Sequence, residues 1–198
     1  MVSAGLIGWV DGNVTLSDIH LTDASVDVIR RRGGEPYASY TGGFIAWCGG
    51  DLTAQSVRMD GEYSSVDAEP EQGDGYAGGL CGYVGGRADV SDSAFTVRLS
   101  PWFSGDTLYE ANALGYVCGD AAFTNVQADC GVEEYTGESS GHSLIAGSGS
   151  TYYLAALAGA AEGEVTAEGC VIDVHYNLFG TPGDLYDGGD EGLYNPVN

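Results

Sequence analysis

Along most of the chain, apolar and polar positions alternate in short runs that restart after a glycine. Two positions beyond Gly12, Gly50, Gly86, Gly119 and Gly163 stand Val14, Leu52, Ala88, Ala121 and Val165. Four positions beyond stand Leu16, Ala54, Val90, Phe123 and Ala167, and the residues between and after them are mostly polar. Period-two alternation predicts a half-buried strand with one face on a core and one in water. The next column, Asp18, Ser56, Asp92, Asn125 and Gly169, consists of turn formers. Alternation then resumes with Ile19 and Leu21, Val57 and Met59, Ser93 and Phe95, Val126 and Ala128, and Cys170 and Ile172 facing inward. Ser93 is the one polar misfit. Two short strands joined by a bend are thus predicted once per repeat, in matching register.

The glycines close a recurring phrase: "AGLIGWVDGN", "GGFIAWCGGD", "GGLCGYVGGR", "NALGYVCGD" and a degraded "AALAGAAEGE". Its aromatic column, Trp9, Trp47, Tyr83 and Tyr116, ends at Ala160. One position earlier come Gly8, Ala46, Gly82, Gly115 and Gly159, a column kept small by close approach of backbone or an aromatic ring. One such unit cannot bury its apolar face alone, whereas stacked copies build a continuous core. The expectation is therefore an all-β fold, a parallel β-solenoid (β-helix) of about five coils forming one domain over residues 1–198. The repeats fall near 3–29, 40–66, 76–103, 111–135 and 152–178.

A third strand is expected near Val26 to Ile29, Tyr63 to Val66 and Val132 to Tyr135. After it come the variable segments "RRRGGEP", "DAEPEQGDG", "SPWFSGDT" and "TGESSGHSLIAGSGST", which would project from one side of the stack. Residues 179–198 read as an irregular acidic C-terminal tail.

The phrase "GGLCGYVGG" at Gly78 to Gly86, followed by a polar strand, resembles the GLUG repeat of large surface and adhesive proteins. Gly42 to Gly50 and Gly5 to Gly12 match it less closely, and the resemblance covers roughly residues 3–175. It implies a parallel β-solenoid used as a spacer or contact surface, and it brings no catalytic residues.

Charge narrows the picture. The chain has 29 acidic residues against six arginines and no lysine, for a formal net charge of −23. Such a surface repels nucleic acid and anionic membranes, so neither is expected as a partner. Lysine-dependent chemistry, from phosphate loops to Schiff bases, is excluded. The expected cause of the bias is adaptation to molar salt, where strong screening makes dense carboxylates tolerable, the alternative being an acidic surface with biased codon usage. No apolar run is long enough to span a bilayer, and the N-terminus lacks the basic start of a secretory signal. The cysteines at 48, 81, 118, 130 and 170 form no C-x-x-C pair and read as buried free thiols; Cys48, Cys81 and Cys170 replace aliphatic residues in inward columns.

Candidate chemistry is sparse. Gly137 to Gly141 spells G-x-S-x-G before His142, but a nucleophile elbow needs a strand and a helix around it, not a Gly/Ser-rich insertion. His20, His142 and His175 share no metal-like spacing, and His20 falls in an outward, solvated column. Asp129 and Asp173 fall in one outward column and should be rung neighbours about 5 Å apart. That separation suits a cation such as Ca²⁺ or a glycosidase pair. In the tail, Asp184, Asp187, Asp190 and Glu191 form a second carboxylate set for a cation. No other cofactor is implied.

These features point to a non-enzymatic structural or interaction protein. The expected setting is a virion component, such as a capsid decoration, turret or tail-fibre subunit, of a virus of a halophilic microbe. The alternatives are a segment of a cell-surface adhesin and a polysaccharide-active β-helix enzyme. The first rung starts almost at Met1, so other subunits, identical or different, are expected to cover it. A host surface glycan is a further candidate partner, and the expected location is the virion or an extracellular surface.

Overall fold

A computed structural model describes residues 1–27, 38–61, 65–67, 73–99, 102–103, 105–129, 142–146, 150–174 and 176–179. Among these residues the regular structure is all β-strand. Strands are numbered β1 to β25 along the chain. The first sheet joins β1 (Val2–Ala4), β6 (Ser39–Gly42), β11 (Gly75–Gly78), β16 (Thr107–Ala111) and β21 (Thr151–Ala155). The second joins β2 (Ile7–Val10), β7 (Ile45–Cys48), β12 (Cys81–Val84), β17 (Leu114–Val117) and β22 (Ala158–Ala161). The third joins β3 (Val14–Ser17), β8 (Leu52–Gln55), β13 (Ala88–Ser91), β18 (Ala121–Thr124) and β23 (Val165–Glu168). The fourth joins β4 (His20–Thr22), β9 (Arg58–Asp60), β14 (Ala94–Thr96), β19 (Gln127–Asp129) and β24 (Val171–Asp173).

Each of these sheets receives one strand from every repeat, and all the described pairings are parallel. The arrangement is compatible with a β-solenoid. Register follows the sequence columns: Val14, Leu52, Ala88, Ala121 and Val165 are successive partners, as are Trp9, Trp47, Tyr83, Tyr116 and Ala160. The degraded last copy keeps the same register, because a strand needs its backbone pairing more than its aromatic.

Inward columns make the core, in which Phe44, Leu52, Met59, Leu80, Phe95, Leu114 and Phe123 are fully buried. Bulk is traded along a column: Phe123 lies between Val90 and Ala167, and Phe95 between Met59 and Ala128. Close packing of large against small keeps the interior dense, and each such aromatic contributes about 2 kcal/mol by leaving water. Ser93 also faces inward. Its hydroxyl accepts the Val57 N–H at 3.0 Å and donates to the Ser91 carbonyl at 2.7 Å, which satisfies a polar atom where neighbouring rungs carry valine.

Two features depart from the sequence expectation. A whole sheet, β1-β6-β11-β16-β21, precedes the repeat phrase where no strand was expected. The third strand is also not uniform. In the first two repeats it is β5 (Ser25–Asp27) paired with β10 (Ser65–Asp67), near the predicted places. In the later repeats β15 (Trp102–Phe103), β20 (His142–Ala146) and β25 (Tyr176–Phe179) form a separate three-stranded sheet, partly inside segments read as variable loops. Strand β25 also takes Phe179, the first residue assigned to the tail. Val132 to Tyr135, the G-x-S-x-G stretch and residues 180–198 lie outside the described residues.

Candidate functional site

The most regular outward surface is aromatic. Trp9 and Trp47 stack with centroids 3.7 Å apart, Trp47 and Tyr83 at 6.1 Å, and Tyr83 and Tyr116 at 5.6 Å, all within 9° of parallel. Beside this ladder runs a second one from the first sheet. Tyr40, Tyr76, Tyr109 and Tyr153 stack at 5.1, 5.3 and 5.0 Å. Edge-to-face contacts interlock the two, for example Tyr76 with Tyr83 at 5.4 Å and Tyr109 with Tyr116 at 4.9 Å. The small column explains how the ladders meet. A Cβ on Gly82 would lie within 3 Å of the carbonyl oxygens of Thr41, Ala46 and Tyr76, so the first sheet's backbone presses directly on the second. The second tyrosine ladder escaped the sequence reading, although its signal is plain: Tyr40, Tyr76 and Tyr109 each stand seven residues before an aromatic of the first ladder.

The hydroxyls of Tyr76, Tyr83 and Tyr116 find side-chain partners. Tyr116 donates to Glu162 Oε1 at 2.8 Å, and that bond, with burial and the carboxylate's charge, pushes its pKa up to about 12. Tyr83 shares a hydrogen bond with the Cys118 sulfur at 2.9 Å, which with burial raises its pKa strongly. Burial, aided by the charge of Asp74, raises Tyr76, Tyr40 and Tyr109 as well. Each ring turns its face to the next ring, and Tyr40, Tyr76, Tyr83, Tyr109 and Tyr116 hold their protons more tightly than an ordinary phenol.

The closing glycines form a backbone ladder, Gly50 N–H to Gly12 carbonyl at 3.2 Å, Gly86 to Gly50 at 3.1 Å and Gly119 to Gly86 at 3.0 Å. Next to it, side-chain oxygens of Asn13, Asp51 and Asp120 accept the N–H of Asp51, Arg87 and Glu164 in the following rung, each at 2.9 Å.

A groove follows the bend column. Asp18, Ser56, Asp92, Asn125 and Gly169 all have positive φ, between 49° and 64°. This left-handed turn at each rung swings the fourth sheet away from the third and leaves an open groove of about 600 Å³ across four rungs. The bend residues Asp18, Ser56, Asp92 and Asn125 line it. His20, Arg58, Ala94 and Gln127 of the fourth sheet's rungs also line it, together with Ile19, Val57 and Ser93. His20 is not simply solvated: its Nε2 lies 2.7 Å from Asp60 Oδ1, while Arg58 Nε lies 3.5 Å from Asp60 Oδ2. Asn125 Nδ2 donates to Asp92 Oδ1 of the preceding rung at 3.0 Å.

The predicted register of Asp129 and Asp173 holds. Asp129 and Asp173 are Cα partners in β19 and β24, and both take part in further polar or electrostatic interactions. Among the described residues, no three His, Cys, Asp or Glu side chains gather as a metal site. Asp187 and Asp190, like Asp184 and Glu191, lie outside the described residues. Cys48, Cys81, Cys118 and Cys170 are free thiols; Cys48 and Cys81 are buried, and desolvation raises both pKa values.

No protein-family model, curated protein or solved structure matches the chain.

Proposed function

We propose that the protein is a non-enzymatic structural and interaction module, a closed parallel β-solenoid of five coils in one domain that serves as a rigid, acidic building block. The observation that supports this reading is the unbroken register of four five-stranded parallel sheets, with the outward columns of two of them filled by interlocked aromatic rings. Residues stacked in this way stiffen a surface. The GLUG-like phrase agrees with a spacer or contact role.

The setting we propose is a particle or outer surface in molar salt, with a virion component of a halophilic host's virus preferred over a segment of a cell-surface adhesin. The net charge of −23 and the absence of lysine favour that environment. Protein subunits are the partners in this reading. Leu6 and Trp9, each 50% exposed, mark the apolar surface of the first rung that such a subunit would cover.

Mass spectrometry of purified particles, surface fractions and cytosol from the source cells tests this. Peptides such as Ala88 to Arg98 should concentrate in the particle or surface fraction. Recovery in the cytosol alone would overturn the reading.

A further inference from the structure

We propose that the groove along the bend column is a binding site for an extended, neutral glycan chain that lies along the stack axis, about one sugar per rung. The inference rests on the molar-salt setting proposed above but not on the particle reading, since a spacer and an adhesin can equally carry such a groove.

The groove is built by the fold rather than left by chance packing. A left-handed residue at the same position of each rung, Asp18, Ser56, Asp92 and Asn125, repeats the same concavity four times. Successive rungs are spaced by roughly 4.8 Å, the separation of hydrogen-bonded strands. That step is close to the length of one pyranose in an extended glycan. Polar groups on the walls therefore recur in phase with the sugars of a chain laid along them.

The wall chemistry selects hydroxyls. The Asp18 carboxylate, the Ser56 hydroxyl, the Gln127 amide and the remaining lone pairs and N–H of the hydrogen-bonded Asp92–Asn125 pair are donors and acceptors of the kind that fix polar ligands. The two basic groups present are held by a carboxylate, His20 and Arg58 both contacting Asp60. An anionic glycan thus meets cations that already sit beside a carboxylate, and the chain's net charge of −23 repels it further. Enclosed pockets bury most of a small ligand, whereas this groove is open along its length. A polymer fits it better than a small molecule does. A polycation is the rival ligand, drawn by Asp18 and Asp92, but molar salt screens that attraction within about 3 Å.

Calorimetric titration of the full chain in molar NaCl tests the site. The probes are cellohexaose, xylohexaose and mannohexaose as neutral glycans, hexagalacturonate as the anionic one, and spermine as the polycation. At least one neutral hexasaccharide should bind with a Kd of about 1 mM or tighter, and the Asn125→Gly/Gln127→Ala variant should weaken it about tenfold. Glycine suits the left-handed bend, so this variant keeps the fold, which circular dichroism checks. Tyr153→Ala, remote from the groove, should bind as the parent does. The proposal fails if none of the three neutral glycans binds, if the double variant binds them unchanged, or if spermine or hexagalacturonate is the tighter ligand.

Discussion

Asp51 Oδ1 accepts the backbone N–H of Arg87 at 2.9 Å, so a side chain from one rung completes the backbone pairing of the next. Asn13 does the same for Asp51 and Asp120 for Glu164. Arg87 has no acceptor to pass on, and its guanidinium instead meets Asp89 at 2.7 Å. The neighbouring glycine is part of the device. A Cβ on Gly86 would collide with the Asp51 carboxylate and the Gly50 backbone, with nothing flexible enough to yield. Asp51→Ala, at a solvent-exposed bond, should cost about 1 kcal/mol. Gly86→Ala should cost more, about 2 kcal/mol or above, because backbone must move. Urea midpoints in molar salt rank the two variants, and equal midpoints would contradict the steric account.

The bend column gives a prediction of opposite character. Ser56 has a φ of 54° and is exposed, so its cost is conformational and owes little to packing. Ser56→Val should destabilise by about 1–2 kcal/mol, since a β-branched residue resists the left-handed region, whereas Ser56→Asn should be neutral or better. Thermal unfolding of both variants measures the difference.

Alkali should loosen the stack. The pKa of Tyr116 is raised from 10.0 to about 12, chiefly by its hydrogen bond to Glu162 and by burial. A raised folded-state pKa means the proton is held more tightly in the native protein. Its stabilisation is therefore complete below pH 10 and is lost as pH climbs through about 12. Tyr40, Tyr76, Tyr83 and Tyr109 shift in the same direction and add to the effect. A spectrophotometric tyrosinate titration should show delayed ionisation coincident with loss of β-structure. Glu162→Gln should bring Tyr116 down towards its ordinary value.

Thiol chemistry probes the core separately. Cys81 is fully buried, and desolvation raises its pKa strongly, so thiolate is scarce and access is closed. Native protein treated with iodoacetamide should leave Cys81 unmodified, and addition of denaturant should expose it. Peptide mapping by mass spectrometry reads the outcome; labelling of Cys81 in the native state would contradict the described packing.

The register was legible because the repeat phrase carries no insertion, so counting from each closing glycine aligns Val14 with Leu52 and Asp129 with Asp173. The first sheet was not. Its strands alternate small and polar residues, such as Ser39, Thr41 and Gly42, that bury only because another sheet presses on them. The tyrosine ladder they carry was encoded in a constant offset of seven from Trp47, Tyr83 and Tyr116, a signal visible only when two columns are compared. The groove was hidden for a different reason. Asp18, Ser56, Asp92 and Asn125 read as turn formers, but residue type alone does not give the sign of φ, and that sign opens the space between the sheets. His20 looked solvated because its partner Asp60 lies on the neighbouring strand, two columns over.

Parallel pairing of strands stacked rung upon rung also has a mechanical consequence. Backbone hydrogen bonds of each sheet run from rung to rung, so tension along the stack loads them lengthwise while the covalent chain runs nearly crosswise. Rungs then bear load in series, and the weakest junction yields first. Between the fourth and fifth rungs the aromatic contact of Tyr116 is replaced by Ala160, and Val165 and Ile172 stay about half exposed. Pulled end to end, the molecule should behave as an anisotropic spring that peels from its alanine-rich end, one rung at a time.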